Sequence, residues 1–154
     1  MGADERGAGV TSWRAAEEAA GSRCELIQLT FVEEPRGWLS AAEAFEQVPF
    51  EIKRVYWLSG VPPGGERAHH AHREQQELLV AARGGFTVHC DDGRVNSVYR
   101  LDSPAYGLLL PEMVWHHLDE FSDEALCLVL ASGPYDYDEY VHHYDEFREI
   151  TANW

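Results

Sequence analysis

Two histidines spaced one residue apart, His70 and His72, follow a Pro62-Pro63-Gly64-Gly65 break and an arginine, Arg67. The full run is Gly64-x5-His70-x-His72-x4-Glu77-x6-Gly84, and Pro111-x4-His116 comes later in the chain. In an extended strand residues two apart project to one face, so His70 and His72 set two imidazoles side by side on one wall. Glu77 and His116 are placed to complete a small polar cluster. Such a cluster serves one of two chemistries. Imidazole titrates near neutrality and can take and return protons there. Two close imidazoles resist double protonation, which pairs a neutral base with a potential acid. Alternatively, His70, His72, Glu77 and His116 form a ligand set of three imidazoles and one carboxylate, suited to iron, manganese or nickel.

Arg67 offers a planar fork for a diphosphate or for a developing oxyanion. Arg54 and Tyr56 alternate with Lys53 and Val55 and so share one strand face, placing them as further substrate contacts. Without a metal, His116 is a polar contact in the pocket and Glu77 orients a histidine by hydrogen bond. The spacings of His117, His142 and His143 carry no chemistry and read as surface or helix positions. The tyrosines near the C-terminus read as packing residues.

These side chains need a β scaffold. Residues 24–31 are compatible with a strand, and Glu34-Pro35-Arg36-Gly37 signals a turn. Residues 50–58 are rich in β-branched and aromatic types and predict a strand. Residues 78–82 form a short apolar run typical of a buried strand. Segments 86–90 and 95–99 flank Asp91-Asp92-Gly93-Arg94, a hairpin signal, because Asp-Gly supplies the positive φ of a tight turn. Further strands are predicted at 106–110 and 125–131. Closely spaced short strands favour a sandwich or barrel over an α/β fold. Residues 135–147 predict one C-terminal helix lying on the barrel. Residues 1–22 read as a flexible leader with a short helical stretch at 13–20, residues 23–147 as one domain, and 148–154 as a tail.

A chain of 154 residues with 45% hydrophobic content and five tryptophans can bury a core without staples. Its formal net charge is −15 and Lys53 is the only lysine. Such a surface repels nucleic acid and anionic membrane, so neither is expected as a partner. Cys24, Cys90 and Cys127 are odd in number and far apart. Together with the lack of a long apolar stretch, they point to a reduced, cytoplasmic protein without disulfides.

The histidine spacing resembles the first signature of the cupin superfamily, small antiparallel jelly rolls with a site in the barrel mouth. Several separated motifs narrow the resemblance: 50–56, Arg67-x-x-His70-Ala71-His72, Asp91-Asp92-Gly93, Pro111-x-x-Val114-Trp115-His116, 128–132 and 135–147. Over residues 24–147 the chain is similar to the nucleotide-sugar 3,4-ketoisomerases, cupins that act on dTDP-4-oxo-6-deoxyglucose without a cofactor. The resemblance implies an all-β single jelly-roll barrel with a C-terminal helix. It implies isomerisation of a dTDP-linked 4-oxo-6-deoxyhexose to its 3-oxo isomer, with His70 as the base at C3 and His72 as its proton-relaying partner. It also implies a homodimer, with a strand from residues 24–31 contributed across the interface. Two positions depart from the family pattern: Ala68 stands where glycine is usual, and Glu77 where glutamine is usual. Glu77 restores the carboxylate of metal-binding cupins, so a metal-dependent dioxygenase is the alternative reading, and a non-catalytic sugar-binding cupin the second.

Overall fold

The computed structural model describes residues 20–154. The expected helical stretch, apart from Ala20, and nearly all of the expected leader lie outside these residues. Strands β1 (Glu25–Gln28), β2 (Thr30–Glu34), β3 (Gly37–Ala41), β4 (Arg54–Leu58), β5 (Arg67–His72) and β6 (Glu77–Arg83) come first. They are followed by β7 (Phe86–Asp91), β8 (Asn96–Leu101), β9 (Tyr106–Leu110), β10 (Trp115–Asp119), β11 (Leu126–Ala131) and β12 (Tyr140–Val141). Among the described residues one α-helix, α1 (Tyr144–Thr151), follows them. Two five-stranded antiparallel sheets, ordered β1-β9-β6-β11-β4 and β12-β5-β10-β7-β8, form the barrel, and β2-β3 is a separate hairpin.

Strand periodicity builds the core. Leu79, Ala81, Leu108, Leu110 and Val129 point inward from the first sheet and meet Phe86, Val88, Tyr99, Leu101 and Leu118 from the second. Each such large side chain stabilises the fold by roughly 1.5–3 kcal/mol on burial. The other face of the first sheet presents Leu78, Val80, Leu109 and Leu130, which Leu29, Val48 and Phe50 cover. The predicted hairpin is β7-β8: Asp92 Oδ1 accepts from the Arg94 and Val95 amides at 2.9 and 2.8 Å, and Gly93 adopts φ +93°. A Cβ at Gly93 would lie 2.9 Å from Thr151 Cβ, so glycine there also lets the end of α1 dock on the turn.

Three expectations are corrected. The strand expected at 24–31 breaks at Leu29, whose buried side chain and amide bond to Ala105 O turn the chain. Its first part, β1, pairs with β9 of the same chain. The strand expected over 50–58 starts at Arg54, because Phe50 and Ile52 lie across the outer face of the first sheet instead. The single helix expected over 135–147 is three elements. Asp136 caps a 3-10 turn at Tyr137–Glu139, and Tyr140 and Val141 pair with His72 and Ala71. Val141 is fully buried, and His143 is extended before α1 starts. The helix therefore runs into the expected tail as far as the buried Thr151.

Candidate active site

A cavity of about 440 Å³ opens between the two sheets. Arg54, Tyr56 and Leu58 line it from β4, Glu77 and Leu79 from β6, and Val129 from β11. Across from them stand Arg67, Ala68 and His70 of β5 and His116 and Leu118 of β10. Tyr135 and Tyr140 complete the wall.

An irregularity in β5 makes this lining work. His116 pairs with His70 and His117 with Ala68, which leaves His69 as an extra residue in a bulge. Ala68 and His69 take φ +72° and +60°. In a regular strand, Arg67 and His70 are an odd number of residues apart and face opposite sides. The bulge resets that phase and both line the cavity. Ala68 occupies the left-handed region that glycine adopts without a steric penalty, which is the physical content of the glycine usual at this position.

The structure brings together every site residue the sequence nominated. His70 makes edge-on contacts with His72 and His116, with ring centroids 5.0 and 4.9 Å away. Its Nε2 is buried and has no protein partner. Burial above all, with help from the His116 and His72 charges, pushes His70 down to about 3, so it is a neutral imidazole. His72 lies behind it, 3% exposed, with Nε2 2.9 Å from Glu77 Oε1. His116 donates its Nδ1–H to Val114 O, 3.1 Å away, so Nε2 is turned to within 4.0 Å of Glu77 Oε2. Burial holds His116 below its ordinary pKa as well.

Glu77 is the fixed charge of the site. Burial pushes its carboxyl up, but the His72 contact, the His72 and His116 charges and the Tyr56 hydroxyl outweigh it and hold the group at about 2. Tyr56 donates to Glu77 Oε1 at 2.8 Å, and burial beside that carboxylate raises the Tyr56 pKa. Arg54 Nη2 is 3.9 Å from the same oxygen, and its guanidinium lies over the Tyr56 and Tyr135 rings. Arg54 Nε, like His70 Nε2, is a buried polar atom without a protein partner. Such atoms cost about 1–3 kcal/mol when left unsatisfied, and they cluster where a ligand supplies the missing bond.

Sequence reasoning missed two members of the wall. Tyr135 and Tyr140, expected to be packing residues, line the cavity. The Tyr140 ring centroid is 4.8 Å from His70 and 4.5 Å from His72. No spacing could have exposed this, since it depends on β12 pairing with β5. Of the histidines expected at the surface or in a helix, His117 is on the outer sheet face, His142 stacks on Tyr140, and His143 immediately precedes α1 without a side-chain capping bond. For the metal reading, nitrogens of His70, His72 and His116 lie within 4.8 Å of one another, close enough to hold a divalent cation. Glu77 stands outside that trio, committed to His72 and Tyr56.

Comparison with known proteins gives the family. Residues 22–152 match the family described as FdtA: WxcM-like, C-terminal. A TDP-4-oxo-6-deoxy-alpha-D-glucose-3,4-oxoisomerase of Aneurinibacillus thermoaerophilus is 37% identical over 128 residues, covering 83% of this chain and 92% of that one. A 3,4-ketoisomerase of Helicobacter canadensis superposes with a TM-score of 0.81 at 33% identity, over 85% of this chain and 98% of the other. QdtA, a sugar 3,4-ketoisomerase of Thermoanaerobacterium thermosaccharolyticum solved with TDP, gives 0.81 at 27% identity, over 84% and 94%. The barrel, its histidine-lined cavity and these matches together make the chain a member of the FdtA, WxcM-like C-terminal family.

Proposed function

We propose that this protein isomerises dTDP-4-oxo-6-deoxy-D-glucose to the dTDP-3-oxo-6-deoxyhexose. The observation that carries the reading is His70: a neutral imidazole lining the cavity, with an unpartnered Nε2 and a buried histidine–carboxylate pair behind it. The C4 ketone acidifies the proton on C3. His70 Nε2 takes that proton, and the C–H electrons form an enediolate with charge on O4. The hydroxyl proton passes from O3 to O4, a proton is returned to C4, and the ketone is now at C3. His72, backed by Glu77, relays protons to and from His70. Arg54, buried with a free Nε, faces the enediolate oxygens, while Arg67, exposed at the rim, meets the diphosphate. Tyr56 and His116 hold Glu77 and the sugar in place.

Incubating purified protein with dTDP-4-oxo-6-deoxyglucose and following the hexose by NMR tests the reading. Accumulation of the 3-oxo isomer, undiminished by chelator, is the expected result. Folded protein and pure substrate yielding no new isomer overturn it, and activity lost with a stoichiometric metal transfers the site to the metal-dependent reading.

The protein is also expected to be a cytoplasmic homodimer. The β2-β3 hairpin exposes Trp38, Leu39 and Val32, and β4 exposes Val55 and Trp57 on the outer face of the first sheet. A cleft of about 270 Å³ lies between Trp38 and that face. A second copy would cover this apolar area two-fold and shield the sheet edge. Light scattering at micromolar concentration should give twice the chain mass, and a monomeric mass refutes the dimer.

A further inference from the structure

The strands that present the pocket histidines carry a second set on their opposite face. His69 of β5, His117 of β10 and His89 of β7 all point away from the cavity, because neighbours along a strand alternate faces. His117 is paired directly with His89, and their rings stack 4.4 Å apart at an interplanar angle of 6°. The β5 bulge adds a third ring, His69, 4.7 Å from His117 and 3° from parallel. Asp119 lies two residues after His117 and so shares its face. Its carboxylate spans the pair, with Oδ1 2.8 Å from His89 Nε2 and Oδ2 3.9 Å from His117 Nε2.

We propose that His89, His117 and Asp119 form a peripheral binding site for a divalent transition cation. One ligand atom from each lies within 4.8 Å of the other two, so small side-chain rotations close the set around an ion at about 2.0–2.2 Å. Two imidazole nitrogens and one carboxylate oxygen suit Zn²⁺, Ni²⁺ or Co²⁺ and do not suit Mg²⁺ or Ca²⁺, which prefer oxygen. The side chains are 33%, 27% and 24% exposed, enclosed enough to hold their geometry and open enough to admit an ion with its remaining waters. Helix α1 covers this sheet face only around Trp115 and Asp91, leaving the histidine end uncovered. A net charge of −15 raises the local concentration of cations. His69, held by Glu66 at 3.0 Å, buttresses the His117 ring and is not itself a ligand. A bound ion would clamp β7 to β10.

The test must separate this site from the pocket trio, so the full chain carrying His70→Asn serves as parent. Chelator-stripped parent is titrated with Zn²⁺ by calorimetry, and folding of each variant is checked by circular dichroism. Adding His89→Ala, or the conservative Asp119→Asn, should remove one Zn²⁺ equivalent or weaken it by at least about tenfold, whereas adding His69→Ala should change it by no more than about threefold. In the parent, Co²⁺ should give visible bands of mixed nitrogen–oxygen ligation that His89→Ala abolishes. Equal Zn²⁺ binding with and without His89→Ala and Asp119→Asn overturns the proposal, as does a parent that binds no Zn²⁺. Neither readout depends on isomerase turnover, so failure here leaves the isomerase reading untouched.

Discussion

On its inner face the β5-β10 pair holds His70, His72 and His116; on its outer face, one residue away along each strand, it holds His69 and His117. The two sets share residue type, strands and spacing, yet their surroundings differ. Inside, His70 meets His72 and His116 edge-on beside the cavity, one buried carboxylate faces His72 and His116, and the His70 Nε2 is left unpartnered. Outside, the rings stack flat in partial contact with water, and carboxylates answer His89 and His69 at 2.8 and 3.0 Å. Burial, and not the imidazole itself, decides which set is poised to move a proton. An unsatisfied nitrogen facing a cavity is available to substrate, whereas one already held by a carboxylate on an open face is not.

The largest expected effect comes from removing the inner base. His70→Asn should lower turnover by about 10³-fold, within the range of roughly 10²–10⁴ that general-base catalysis supplies. Affinity for dTDP, measured by calorimetry, should stay within about threefold. His89→Ala on the outer face should leave turnover within about twofold. Comparable losses in both variants would erase the distinction between the faces.

Next in size is the rim cation. Arg67→Ala should weaken dTDP binding by about tenfold or more, since a hydrogen bond to a charged group contributes about 1.5–3 kcal/mol before solvent screening reduces it at this exposed position. Unchanged affinity would move the diphosphate away from Arg67.

Acid should unfold the protein through its inner face. The folded pKa of His70, about 3, lies below its unfolded value, so the unfolded chain binds this proton first. Stability is therefore lost as pH falls from about 6.5 toward 3, by up to about 1.4 kcal/mol per pH unit. Glu77, held at about 2, adds a loss of the same sign below its ordinary carboxylate pKa. Urea midpoints taken between pH 7 and pH 5 should fall steeply in the wild type and more gently in His70→Asn. Equal slopes would mean that His70 is not desolvated as described.

The smallest effect is conformational. Ala68→Gly relieves a left-handed alanine at the bulge and should raise stability by about 1 kcal/mol, or about 3 °C in Tm. A fall in Tm would show that the bulge tolerates alanine without strain.

Much of this contrast was legible in the chain. Strand alternation alone aligned His70 with His72, and Asp92-Gly93 marked the β7-β8 hairpin. The motif spacing supplied Glu77 and His116. What escaped was set by pairing between distant segments. Arg67 shares the cavity with His70 only because His69 bulges out of register with β10. Tyr140 faces His70 only because two residues beyond a capped 3-10 turn add a strand to β5. The aromatic run at 135–147 mimics helical spacing, but its buried Val141 and extended His143 keep the helix from starting before Tyr144. His117, without meaning in sequence, acquires neighbours only when β7 and β10 lie side by side.

The central claim is that His70 transfers the proton from C3 to C4, with exchange against solvent protons on the way. It is tested most directly by running the reaction in D₂O and reading the hexose by NMR, with wild type and His70→Asn side by side. The wild type should give a 3-oxo product carrying deuterium at C4. His70→Asn should give neither product nor exchange at C3. Labelled product forming at an equal rate in His70→Asn would contradict the account.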